Sequence, residues 1–145
     1  MFRKKLPILI NFAKLSFLCI LISGCQEIDS QRLERKCANN SPFRNIKRTL
    51  EYCNKGILID PLNPHNYNNR GVQKYDLFDY YGAIQDSTKA IELRAEDSSD
   101  LAMHYYNRGV YKQAIQDLIG ACSDWEKASQ LRDRDAKIDF KEYCK

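Results

Sequence analysis

Two stretches of this chain are copies of one another. Residues 67–93 read YNNRGVQKYDLFDYYGAIQDSTKAIEL, and residues 105–131 read YYNRGVYKQAIQDLIGACSDWEKASQL. Laid together without a gap they agree at thirteen of 27 positions. Tyr67, Asn69, Arg70, Gly71, Val72, Lys74, Asp79, Gly82, Ala83, Asp86, Lys89, Ala90 and Leu93 each recur 38 residues later. Composition alone gives about two matches. A repeat of this length is one supersecondary unit that cannot bury its apolar face alone, so copies must stack. Its logic is helical. Gly71 and Ala83 lie on two helical stretches parted by a polar break near Asp79, and Ala90 continues the small stripe seven residues on. Small residues let two antiparallel helices approach closely. The expected fold class is all-α, built from stacked antiparallel helix hairpins.

The pattern resembles the tetratricopeptide repeat (TPR), a motif of about 34 residues with three small positions. Gly71, Ala83 and Ala90 fall on them in one copy and Gly109, Ala121 and Ala128 in the other, where Trp125 takes the motif's aromatic position. The 38-residue spacing inserts about one helical turn, or a longer loop, at residues 95–102 (AEDSSDLA). Ser87 replaces the aromatic in the earlier copy, and Arg70 and Arg108 stand where the motif often has Leu; both arginines are read as pairing with Asp residues of neighbouring helices. Gly56, 34 residues before Ala90, and Pro61 resemble the end of a degenerate earlier unit. Ser41 and Pro42 read as the cap and first residue of that unit's second helix. After Leu131, Ala136, Phe140, Tyr143 and Cys144 share one helical face, as a terminal capping helix requires. The resemblance implies a TPR-type α-solenoid, with a degenerate first repeat at 30–63, repeats at 64–97 and 102–135, and a capping helix at 136–145.

The N-terminus supplies an address. Arg3, Lys4 and Lys5 precede an apolar run, LSFLCILI, which ends in Ser23, Gly24 and Cys25. This is the layout of a secretory signal. Ile22 does not suit the usual cleavage site. The LISGC stretch instead resembles a bacterial lipobox, which implies cleavage after Gly24 and a diacylglycerol on the Cys25 thiol. Residues 1–24 would then be the signal peptide and 25–29 a lipid-anchored tether. The alternative is an uncleaved anchor over residues 6–24, but Lys14 would lie near mid-membrane at a cost of about 3 kcal/mol. Under the enterobacterial sorting rule Gln26 favours the outer membrane over the inner. The expected location is a bacterial envelope membrane.

Removing the signal changes the charge argument. It takes Arg3, Lys4, Lys5 and Lys14 and leaves nineteen Lys and Arg against nineteen Asp and Glu. A nucleic-acid footprint needs surplus positive charge, so that class of partner is not expected. There is no glycine-rich phosphate loop, no His-Glu-x-x-His and no nucleophile elbow. His65 and His104 stand apart and read as solvated or packed side chains. No enzyme activity, cofactor or metal site is expected.

What remains is binding. Carried over from the family, the concave groove falls on Asn68, Asn69, Val72, Tyr75 and Asp76, then on Met103, Tyr106, Asn107, Val110 and Gln113, flanked by His65 and Ala114. Some members clamp a C-terminal carboxylate with Lys and Asn there. Here Asn68 and Tyr106 occupy the lysine site and Val72 and Val110 the asparagine site, which disfavours that ligand. The expected function is a membrane-anchored scaffold or assembly subunit that binds a protein or peptide; the alternative is a structural accessory acting through self-association. Four mature cysteines besides Cys25 allow three disulfide pairings in an oxidising compartment. The repeat frame implies Cys37 with Cys53 and Cys122 with Cys144, against the alternative of four buried thiols.

Replacing the lipid-bearing thiol tests the address. Cys25→Ser is expected to leave an unprocessed, unacylated precursor in a mass spectrum of the membrane fraction. Normal cleavage of that variant near residue 26 would overturn the lipoprotein reading.

Overall fold

The computed structural model describes residues 29–38, 45–93 and 98–144. Residues 1–28 lie outside these, so the signal peptide, Cys25 and its tether have no structural account. Seven helices follow in order among the described residues. They are α1 (29–37), α2 (Ile46–Ile59), α3 (Pro64–Asp76), α4 (Tyr80–Glu92), α5 (Ser98–Ala114), α6 (Leu118–Gln130) and α7 (Arg134–Tyr143). Helices α1/α2, α3/α4 and α5/α6 form three hairpins, and α7 closes the far end. Each hairpin packs on its sequence neighbour, α2 on α3, α4 on α5 and α6 on α7, and α3 also meets α5.

Local chemistry starts the helices. Asn45, Asn63, Asp79, Asp117 and Asp133 each accept, through the side chain, a backbone N–H of the first turn that follows. Pro64 opens α3, where its missing N–H is harmless. Asn45 corrects one expectation. α2 begins at Ile46, not at Pro42, because the Asn45 amide oxygen takes the Arg48 N–H at 3.1 Å and supplies the cap three residues after the Ser-Pro pair. Ser41 and Pro42 themselves lie outside the described residues.

The ends of α3, α5 and α6 share one device. Phe78, Gln116 and Arg132 have φ of 63°, 65° and 73°. The N–H of the next residue reaches back to the helix, from Asp79 to Lys74 O, Asp117 to Lys112 O and Asp133 to Ala128 O. These are six-to-one C-terminal caps with a left-handed residue that is not glycine. The extra turn of the 38-residue spacing extends α5 at its N-terminal end. That helix has 17 residues where α3 has 13; residues 95–97 lie outside the described set.

The core is a stripe of small residues. Ala83, Ala90, Ala102, Ala121, Ala128 and Ala136 are buried, and with them Trp125, Cys37 and Cys53. Gly109 and Trp125 face each other inside the third hairpin. A Cβ on Gly109 would lie 2.5 Å from Trp125 Nε1, so the indole fits only because the glycine has no side chain. In the second hairpin Ser87 stands where Trp125 stands in the third, and it is also fully buried. The vacated volume is taken from the neighbouring hairpin: the Tyr111 ring reaches within 3.5 Å of a Cβ built on Gly71 and stacks on Tyr75 at 5.0 Å. In the first hairpin the matching pair is bonded, Cys37 to Cys53, with Cα atoms 4.8 Å apart. A second disulfide joins Cys122 of α6 to Cys144 just after α7, with Cα atoms 5.6 Å apart. Both separations lie in the ordinary range for the bond.

Charge is also buried in register. Asp86 and Asp124 are almost wholly enclosed. Arg70 forks onto Asp86 through Nη2 and Nε at 2.7 and 2.8 Å, and Lys74 joins at 2.8 Å. Arg108 and Lys112 hold Asp124 in the same way. Each arginine then spends a third N–H on the preceding hairpin, Arg70 on Asn54 at 2.9 Å and Arg108 on Thr88 at 3.1 Å. The pairing of arginine with the Asp of a neighbouring helix is realised within each hairpin, and the third N–H links consecutive units.

Trp125→Ala is expected to lower unfolding stability by about 3–5 kcal/mol, because a large buried ring leaves a cavity that the opposing glycine does not fill. Urea denaturation measures it. A loss under about 1 kcal/mol would mean that the ring contributes little to the core.

Candidate functional site

Helices α3 and α5 lie side by side and carry the ten groove residues expected from the sequence. Nine of them retain exposure. Asp76 is open to solvent, while Asn69, Val72, Tyr75, Met103, Tyr106, Asn107, Val110 and Gln113 are half-buried. Asn68 differs: it is 2 % exposed, and its amide oxygen accepts from Asn107 Nδ2 at 3.1 Å. That bond joins two hairpins and removes Asn68 from the accessible surface. A one-residue change of helical phase decides the matter, since Asn69 turns outward where Asn68 turns in.

The face is not uniform along its length. Near the middle Tyr75 lies between Tyr111 and Tyr80, with ring centroids 5.0 and 5.4 Å away. Toward the C-terminal end Tyr106 and Val110 pack with Phe140 against Trp125, Ala121 and Ala136. The Tyr106 hydroxyl donates to Asp139 of α7, and burial first, with that carboxylate second, pushes its pKa up to about 12. Helix α7 therefore covers one end of the α5 face. The open part runs over Asn69, Val72, Met103, Asn107 and Gln113. It offers amide donors and acceptors, a thioether and aliphatic surface, with Asp76 as its one charge and no Lys or Arg among the ten. Lys74 and Lys112 are committed to Asp86 and Asp124.

Beside this face the interior is polar. His104 is fully buried, its ring 5.9 Å from that of His65, and neither of its nitrogens has a hydrogen-bond partner among the described residues. His65 in turn approaches Asp100 at 3.5 Å. Burial, with a smaller contribution from His65, depresses the His104 pKa from 6.5 to about 4. No set of three His, Cys, Asp or Glu suited to a metal occurs among the described residues. A separate cleft of about 360 Å³ opens beside the second disulfide, lined by Leu118, Ile119, Phe140 and Tyr143.

Sequence reasoning did not find the Lys74 and Lys112 arms of the clamps, the Tyr111 infill or that the capping helix covers the groove residues Tyr106 and Val110. The first was available in principle. Arg70, Lys74 and Asp86 all recur in the second copy, and polar residues kept between copies without lying on the open face signal a mutual contact.

No family model matches the chain, and no curated protein matches it in sequence. Solved structures do match in fold. The first TPR of Spaghetti (RPAP3), bound to the HSP90 peptide SRMEEVD, is 23 % identical, with a TM-score of 0.71 over 80 % of this chain and 90 % of that one. The second TPR of the same protein, with the same peptide, is 22 % identical at a TM-score of 0.64, over 74 % and 98 %. The N-terminal domain of stress-induced protein-1 (STI-1) from C. elegans is 24 % identical at 0.63, over 68 % and 81 %. The fold is that of an all-α TPR solenoid.

The buried imidazole generates a pH prediction. In the unfolded chain His104 binds its proton near 6.5, but in the fold only near 4. The unfolded state therefore holds more protons between these values. His104's share of stability is complete above about pH 6.5 and is lost as the pH falls toward 4, amounting to about 3 kcal/mol. His104→Gln is expected to flatten melting temperature against pH over that window. Parallel curves for the two proteins would show that His104 does not titrate there.

Proposed function

We propose that the chain is a membrane-anchored scaffold or assembly subunit of the bacterial envelope, binding a protein or peptide segment along the face of α3 and α5. The observation that carries this is the open face itself. Two parallel helices present Asn69, Val72, Met103, Asn107 and Gln113 side by side, half-buried and held by a rigid core. Such a surface suits an extended segment, with amides for its backbone and Val72 and Met103 for an apolar side chain. The RPAP3 structures hold a peptide on the same fold. This face has no cation to receive a terminal carboxylate, so the fitting ligand is an internal or uncharged segment. The lipobox at Cys25 supports the membrane address, and the two disulfides suit an oxidising compartment. No catalytic step is assigned to the chain.

A second reading, self-association, has its own support. Phe78, Tyr81 and Ile119 project at the hairpin tips with 77 %, 70 % and 87 % of their surface exposed. Light scattering on the mature chain separates the two: a monomer removes self-association.

Asn69→Arg with Gln113→Arg is expected to abolish co-purification of partners from detergent-solubilised envelopes while leaving the helical circular dichroism intact. Capture of the same partners by both proteins would move the binding site off this face.

A further inference from the structure

The first hairpin breaks the charge rule of the other two. In the second and third, a cation on the first helix meets a buried aspartate sixteen residues later, Arg70 with Asp86 and Arg108 with Asp124. Sixteen residues after Lys36, at the matching place, stands Tyr52 rather than an acid. Lys36 Nζ lies 4.6 Å over the Tyr52 ring. Arg48 Nε donates to the Tyr52 hydroxyl at 3.0 Å. Among the described residues neither cation has a carboxylate partner. Between them opens a cavity of about 260 Å³, lined by Lys36, Asn45, Arg48, Thr49 and Tyr52. Arg48 first, then Lys36 and Lys55, hold the Tyr52 phenol below its ordinary pKa, as a local positive field requires. Where the other hairpins contain their own anion, this one has two cations around an open cavity.

The surroundings say which anion fits. Residues 30–63 carry seven Lys and Arg against three Asp and Glu, whereas residues 64–145 carry twelve against fourteen. The outward side of α2 presents Lys47, Arg48, Lys55 and Leu58, all exposed, interrupted by Glu51. Leu58 is 83 % exposed, and Leu62 in the turn beyond α2 is 72 % exposed. Basic side chains followed along the helix by projecting leucines suit the boundary between headgroups and acyl chains of an anionic bilayer. A peptide carboxylate explains the cavity but not the leucines.

We propose that the cleft between α1 and α2 is a phosphate-headgroup site through which the first hairpin rests on an anionic lipid surface, with Lys36 and Arg48 as its ligands. The proposal deepens the membrane-anchored reading and rests on it for location, since Cys25 lies four residues before the start of α1. The site would set the first hairpin of the stack on the lipid.

The test uses the chain from residue 26, which holds every described helix and both disulfides and has no lipid. It is expected to sediment with vesicles of mixed phosphatidylcholine and phosphatidylglycerol, and not with phosphatidylcholine alone. Lys36→Gln with Arg48→Gln is expected to weaken that partition about tenfold or more, given the worth of each cation near such a surface. Arg134→Gln with Lys141→Gln, at the far end of the stack, is expected to leave it unchanged. Equal sedimentation with neutral vesicles, no effect of the first pair, or an equal loss from the second would each overturn the site. So would inorganic phosphate, at constant ionic strength, perturbing the Tyr52 absorbance in a protein that binds no vesicle; the cleft would then serve a soluble anion. The mass of Cys25 in the full-length protein reports the anchor separately, so either claim can fail alone.

Discussion

The stack depends on how one gap is filled. In every hairpin a residue of the first helix and a residue sixteen places later on the second meet at the closest approach of the two helices. The three hairpins solve this with different chemistry. Cys37 and Cys53 are bonded across the gap. Gly71 and Ser87 leave it nearly empty, and Tyr111 of the next unit moves in. Gly109 yields the whole space to Trp125. The sum of volumes is what matters, because interiors are close-packed and tolerate neither a void nor an overlap. A small residue on one side is therefore as necessary as a large one on the other. The Tyr111 solution also couples two units, since the ring that completes the second hairpin belongs to the third.

The buried charges act on register. Breaking an enclosed ion pair is expensive, but making one contributes little net stability compared with an apolar core. Their geometry is specific all the same. One aspartate takes an arginine fork and a lysine from the helix beside it, and the same arginine touches Asn54 or Thr88 on the preceding hairpin. A sliding helix would leave several charges unpaired at once. The chain thus uses small residues to set how near the helices come and charged ones to set where along their length they meet. This also segregates charge. The second and third hairpins neutralise their central cations internally with Asp86 and Asp124, and the first has Tyr52 at the matching place instead of an acid.

Helix α7 decides how much of the α3–α5 face is open. Its Asp139 and Phe140 occupy Tyr106 and Val110, which would otherwise continue the α5 surface. The disulfide from Cys122 to Cys144 holds this helix in place, although Ala136 is its one fully buried residue. A short terminal helix with so little buried surface frays readily, and the cross-link removes that freedom.

The sequence by itself determined the repeat and its hairpins, the small-residue stripe, the position of Trp125 in the core and the face on which a cap would pack. These are properties of spacing and of residue size, and both survive in one dimension. The start of α2 was misplaced because Ser-Pro and Asn45 are both good local caps, and choosing between them needs the packed helix. The extra turn of α5 was legible as an insertion, with helix and loop both left open. Tertiary structure alone decided that Asn68 is enclosed while Asn69 is not, that Tyr111 fills a neighbour's cavity, and that Lys36 and Arg48 converge on one cleft. The first two depend on the angle between adjacent hairpins and the third on how α1 packs against α2. A difference of one residue in phase there exchanges buried for exposed, and no local pattern specifies that angle.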